Sequence, residues 1–169
     1  MLKVLTKQEL INTIYDSFKN THLEDGIGLY EADCIDDYIS ADHPDYIRWK
    51  SYDERDNWER LLPLLSGAIH SERVNTGSWF FMDAKGKRFL LPCILLLDID
   101  NKLKGENPIV TQLTFEPIDV AGFEILNKDQ KQTILNLFDF KIDEFTKENN
   151  GFDFDNYLKA KEIFLKFVI

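Results

Sequence analysis

Cysteine is scarce in this chain. Only Cys34 and Cys93 occur, in unrelated contexts, and they form no C-x-x-C. That excludes a disulfide framework, and two free thiols in a chain able to build a full core point to a reducing, cytoplasmic setting. Histidine is equally sparse: His22, His43 and His70 stand 21 and 27 positions apart, a spacing that matches no zinc pattern. Long apolar runs are missing. The longest in the core region, residues 89–97, falls far short of the ~20 residues a spanning helix needs, and M-L-K-V-L-T-K-Q-E-L lacks the unbroken apolar stretch of a signal peptide.

Motifs that would name a chemistry are also absent. Gly26-Ile-Gly28 is only a G-x-G, set among acids that would repel a phosphate, and there is no Walker sequence. No G-x-S-x-G nominates a serine nucleophile. Asp98-x-Asp100 and Asp153-x-Asp155 resemble the opening of a calcium loop, but neither has the glycine and glutamate that complete one, so both read as helix ends or caps. Cys93, next to Pro92 in an apolar stretch, reads as a buried, inert thiol. Cys34 lies among acids that oppose thiolate formation. No catalytic residue, metal or cofactor is expected.

Positive charge is in short supply. Thirty acids face twenty bases, for a net charge of −10. Residues 24–60 hold twelve acids against four bases, while the rest of the chain holds eighteen against sixteen. Nucleic acid and anionic membrane are poor partners for such a chain, since phosphate contacts need a basic face. A solvated face that keeps the protein soluble is the bland reading of the surplus. Docking of a basic protein partner is the sharper one. Its surface would be Asp36, Asp37, Asp42, Asp45, Tyr46, Trp49, Tyr52, Asp53 and Glu54, with the aromatics forming a rim. The alternative is a hydrolase in which some of these carboxylates hold a divalent metal. Nothing in the sequence sets an oligomeric state.

What the chain has in quantity is apolar and aromatic residues: 44% hydrophobic, with thirteen phenylalanines in 169 residues. That suits one domain, long enough to bury about 70% of its unfolded surface. The periodicity predicts helices at about 6–19, opened by the capping box Thr6–Glu9, and at about 28–39, 54–65, 92–101, 127–148 and 154–167. In the second, Leu29, Ala32, Ile35 and Ile39 face inward and Glu31, Asp33, Asp36 and Asp37 face outward. Residues 40–52 read as a loop. Asp53 or Asp56 caps the third helix, which Pro63 ends or kinks. Asn127–Gln130 opens the fifth and Asn149-Asn150-Gly151 closes it. The last buries Tyr157, Leu158, Ile163, Phe164 and Phe167.

Residues 79–90 read as a β-hairpin turned by Asp83-Ala-Lys-Gly86, with Pro92 at the first position of the next helix. Residues 109–115 offer a third strand, or a short helix. The expected fold is therefore α+β: a single, mainly helical domain of five or six helices packed on one hairpin. Strand alternation puts Lys87 and Phe89 on one face and Arg88 and Leu90 on the other. A guanidinium in such apolar company needs a carboxylate, for which Asp56 and Glu31 are the candidates.

Three blocks, G-I-G-L-Y-E-A at 26–32, D-E-R-D-N-W-E-R at 53–60 and F-F-M-D-A-K-G-K-R-F-L-L-P at 80–92, resemble a family of small uncharacterised bacterial proteins known only as a domain of unknown function. Its pattern is carried here by Asp56, Trp58, Asp83, Gly86, Arg88, Phe89 and Pro92. Residues 127–138 are similar as well, and Leu90 stands where an aromatic is frequent. The resemblance implies bacterial origin and a unified fold over about 26–100, but no activity. In general character such compact acidic proteins are also similar to immunity proteins that neutralise toxins.

Overall fold

The computed structural model describes residues 4–71, 73–148 and 150–169. Among them the regular structure is entirely helical: α1 (Lys7–Phe18), α2 (Leu29–Asp36), α3 (Pro44–Lys50), α4 (Leu62–Leu65), α5 (Ala84–Ile99), α6 (Pro108–Thr114), α7 (Lys128–Glu148) and α8 (Gly151–Phe167). Two 3₁₀ segments, Trp58–Leu61 and Thr76–Phe81, precede α4 and α5. Residues 1–3 of the segment weighed as a leader, and Asn149, lie outside the described residues.

The α+β expectation is overturned, because neither the hairpin nor the third strand exists among these residues. Asp83 is a helix cap rather than a turn residue: its carboxylate accepts the Gly86 N–H at 2.8 Å. It also accepts the Ile27 N–H at 3.0 Å, tying the loop before α2 to the start of α5. Gly86 permits that approach, since a Cβ there would lie 2.1 Å from the Ile27 carbonyl oxygen. Pro92 sits inside α5, not at its start. It withholds the N–H that the Arg88 carbonyl would have accepted, a cost offset by burial nearly all round the helix. Residues 109–115 are helical because Asn107 caps Pro108–Thr114, accepting the Ile109 N–H at 2.9 Å, with Pro108 in the first turn.

Residues 40–52 are not a loop either. His43 caps α3 and Pro44 opens it, with Asp45 in the first turn and Arg48 and Lys50 in the last, as the helix dipole favours. The expected helix over 54–65 is shorter: Asn57 caps the 3₁₀ segment, and neither Asp53 nor Asp56 does. The capping boxes at Thr6–Glu9 and Asn127–Gln130 are both present.

Helix α5 is the axis of the core. Phe89, Leu90, Leu91, Ile94 and Leu95 are all at most 2% exposed, each contributing about 1.5–3 kcal/mol of burial. Helix α7 packs on α1, α5 and α8, and α8 on α6. Phe123, Phe138, Phe164 and Tyr157 meet edge to face between them. Phe167 falls past this contact and is exposed. Helix α2 packs against α3 and against the 3₁₀ segment at Thr76–Phe81.

Candidate functional site

The acids of residues 24–60 divide into two sets. The inner set is consumed by the fold. Helix α2 starts at Gly28, which has no side chain to cap it, and Asp53 supplies the cap from the far side of α3. Its two carboxylate oxygens accept the Tyr30 and Glu31 N–H groups at 2.7 and 3.2 Å. Gly28 is required beneath it, because a Cβ would lie 2.2 Å from the Asp53 carboxyl carbon. Burial outweighs the two donors and raises the Asp53 pKa to about 6.

Glu31 and Asp33, expected outward, are buried. Glu31 accepts from the Tyr46 hydroxyl at 2.6 Å and from Lys50 Nζ at 2.7 Å. Tyr46 is therefore a buried strut between α2 and α3 and not part of a rim; burial, then its bond to Glu31, pushes its hydroxyl up to about 12. Arg73 bridges Asp33 and Asp37, each at 2.9 Å, while burial still holds Asp33 above the usual carboxylate range. Glu54 accepts the Asp56 and Asn57 N–H groups and pairs with Arg60.

The outer set is Asp36, Asp37 and Asp42, all exposed, and the half-buried Asp45, paired with Arg48 at 3.0 Å. Beside them Trp49 stacks on Tyr30 at 5.9 Å and meets Tyr52 at 5.7 Å, while Arg48 and Arg73 lie over the indole at 5.0 and 5.1 Å. Tyr52 and Ile47 are exposed. Sequence reasoning missed Tyr38. It closes α2 in a left-handed conformation, φ 57°. The Ile39 N–H bonds Cys34 O and the Tyr38 N–H bonds Ile35 O, which together form a Schellman motif. Glycine is the usual residue there; here a tyrosine stands 95% exposed. The available signal was a helix of acids ending in D-D-Y-I with no glycine or asparagine to end it.

Of the residues that carry the resemblance, Trp58, Asp83, Gly86, Phe89 and Pro92 are built into the packing and caps of the fold. Trp58 Nε1 donates to Phe18 O at 3.0 Å, and Cys93 Sγ donates to Trp58 O at 3.1 Å. Phe89 and Pro92 are buried in α5, and Asp56 is exposed. Arg88 pairs with Glu24 at 2.6 Å and not with Asp56 or Glu31, because helical rather than strand geometry turns it toward the loop before α2. Its Nε is buried without a partner among the described residues. The hairpin's alternation fails at Lys87 as well: its buried ammonium reaches the Gln112 side chain at 3.1 Å, and burial lowers its pKa. Both thiols are buried, and burial raises both above the ordinary range.

A second place was not read from the sequence at all. A cleft of about 660 Å³ opens between α6, α7 and α8, with Asp98, Asn107, Lys141 and Tyr157 among its lining. Only the burial of polar residues marks it, and no local pattern announces that. Among the described residues, no three His, Cys, Asp or Glu side chains gather as a metal site requires, and no helix is long and apolar enough to cross a membrane.

Comparison with curated proteins found no match, and neither did comparison with solved structures. A family model does match, over residues 6–160 and thus from α1 into α8. The chain belongs to the family of unknown function DUF6714.

Proposed function

We propose that the chain is a non-catalytic interaction module that binds a basic protein through the outer face of α2 and α3. The observation that carries this reading is Tyr38, fully presented to solvent in a conformation that disfavours it, beside Asp36 and Asp37. A left-handed non-glycine residue costs about 1–2 kcal/mol, and the side chain returns nothing to the fold. Tyr52 and the half-buried Trp49 extend an aromatic surface bordered by the exposed carboxylates Asp36, Asp37 and Asp42, of which Asp37 is shared with Arg73. Aromatic anchors with an acidic border suit a partner rich in lysine and arginine.

An immunity protein seated on a basic toxin, in the cytoplasm of a bacterium, is the version this composition supports best. The free thiols Cys34 and Cys93 favour the reducing compartment. The acids offer a metal-dependent hydrolase no gathered donor set among the described residues.

Immobilised full-length chain, presented with bacterial extract at low salt, tests this. The expected capture is a basic protein that salt releases. Its purified form should bind the double variant Tyr38→Ala/Tyr52→Ala at least tenfold more weakly. Asp36→Asn/Asp42→Asn should mainly slow association. Binding untouched by both variants, or no basic protein recovered, overturns the proposal.

A further inference from the structure

The cleft between α6, α7 and α8 is built around a carboxylate with unusual company. Asp98 is 7% exposed. The Tyr157 hydroxyl donates to its Oδ2 at 2.7 Å and Asn107 Nδ2 donates to the same oxygen at 2.9 Å. Among the described residues no donor reaches Oδ1, and that oxygen is not sealed from solvent. Asn107 is held for its task, since its Oδ1 caps α6 through the Ile109 N–H.

The neighbouring cation is committed elsewhere. Lys141, 1% exposed, donates to Glu144 at 2.6 Å and to Asn101 Oδ1 at 2.7 Å and lies 4.8 Å from the Phe145 ring centre. It touches Asp98 only at the main-chain oxygen, at 3.4 Å. The Asp98 carboxyl is thus enclosed beside neutral donors and without a direct ion-pair partner, and its charged form is costly unless it takes up a proton or a cation completes it. Burial holds its pKa above the usual range.

The surroundings select the sign and size of what could complete it. Glu106 and Asp153 also line the cleft, so an anion would meet carboxylates, with Lys141 already neutralised by Glu144. One free carboxylate oxygen is too few for a divalent metal, and the volume falls within the range of small-molecule sites. Val110 and Phe145 supply apolar wall, and Phe115 and Phe152, both well exposed, stand in the lining.

We infer that this cleft binds an organic cation, a primary ammonium or guanidinium on a short aliphatic body, with the charged end on Asp98 Oδ1 and the body against the phenylalanines. It is independent of the acidic face of α2 and α3. The same chemistry is found in a free amine and in a lysine or arginine side chain.

Calorimetric titration of the full-length chain with agmatine, butylamine, butyrate and a capped lysine peptide tests it. Agmatine or butylamine binding, with butyrate silent, is the expected result. Binding of the free amines alone identifies a small-molecule site, and equal binding of the capped lysine peptide identifies a side-chain pocket. Asp98→Asn should weaken the amine at least tenfold, the loss of a charge-assisted bond. Phe152→Ala, at a side chain 79% exposed and so harmless to folding, should weaken it several-fold. Failure of the wild-type chain to bind either amine, stronger binding of butyrate, or amine binding unchanged in Phe152→Ala overturns the inference.

Discussion

The α2–α3 region and the α5–α8 end handle carboxylates in opposite ways. In the first, many acids are spent on helix amides and on cations that reach solvent: Asp53 on the start of α2, Glu31 on Lys50, Asp33 on Arg73. The surplus stays outside. In the second, one acid is enclosed, answered by a tyrosine and an amide, and left without a direct ion pair. Glu31 and Asp33 are as deeply buried as Asp98 but are answered by cations that reach water, and the acids left outside cost little because water screens them. Asp98 has no such cation, and each missing contact of an enclosed charge is felt in full.

The largest effect should come from the junction that holds the two regions together. Gly86→Ala would drive a methyl into the Ile27 carbonyl, a backbone atom that cannot swing aside. A loss of about 3 kcal/mol or more is expected in chemical denaturation. Gly28→Ala, whose nearest contacts all lie on the Asp53 side chain, should cost about 1–2 kcal/mol, the worth of a cap. If Gly86→Ala is the milder of the two, the loop does not press on α5 as described.

That junction also explains what the sequence could and could not tell. The ends of α1 and α7 were legible because their caps are local: Thr6 answers Glu9 and Asn127 answers Gln130. Asp83-Ala-Lys-Gly86 satisfies a turn and a helix cap equally well. The choice falls to Ile27, whose amide and carbonyl approach from more than fifty positions away. Proline misled at Pro92, which sits mid-helix where a start was read, while Pro44 opens a helix inside the stretch read as a loop. The acidic surface was legible in kind but not in depth. Nothing near Glu31 announces that Tyr46 and Lys50 will cover it, nor near Asp33 that Arg73 will. The cleft was illegible, since Asp98, Asn107, Lys141 and Tyr157 come from four separate stretches.

Next in size is a pH effect on the α2–α3 side. The folded Asp53 carboxyl keeps its proton to about pH 6, well above the ordinary carboxylate value of 3.8. Between those values the folded state binds more protons than the unfolded, so this group's contribution to stability falls as pH rises and levels off above about 6. Asp53→Asn removes the titration. The wild-type minus variant difference in unfolding free energy should drop by about 2 kcal/mol between pH 4 and pH 6.5. A difference that climbs with pH would mean that the two α2 amides govern this carboxyl and burial does not.

The contrast between regions is sharpest when one donor is removed from each. Tyr157→Phe strips a hydroxyl from the enclosed Asp98 and should cost about 2 kcal/mol. Lys50→Met takes a half-exposed ammonium from Glu31, which keeps its bond from Tyr46, and should cost about 1 kcal/mol or less. Equal costs in urea titrations would erase the distinction between the two ends.

The smallest effect should run the other way. Tyr38→Gly relieves a left-handed tyrosine whose side chain touches almost nothing, so the variant should be more stable by about 0.5–1 kcal/mol. Glycine is the residue a Schellman close prefers, so the helix end itself should not change. If the acidic face binds a partner, the same substitution weakens that binding while it strengthens the fold. A residue kept against its own conformational preference is then explained by what it touches in the complex. Should Tyr38→Gly leave stability unchanged or lower it, the tyrosine is supporting the fold, and the strongest support for a docking face at α2 and α3 is gone.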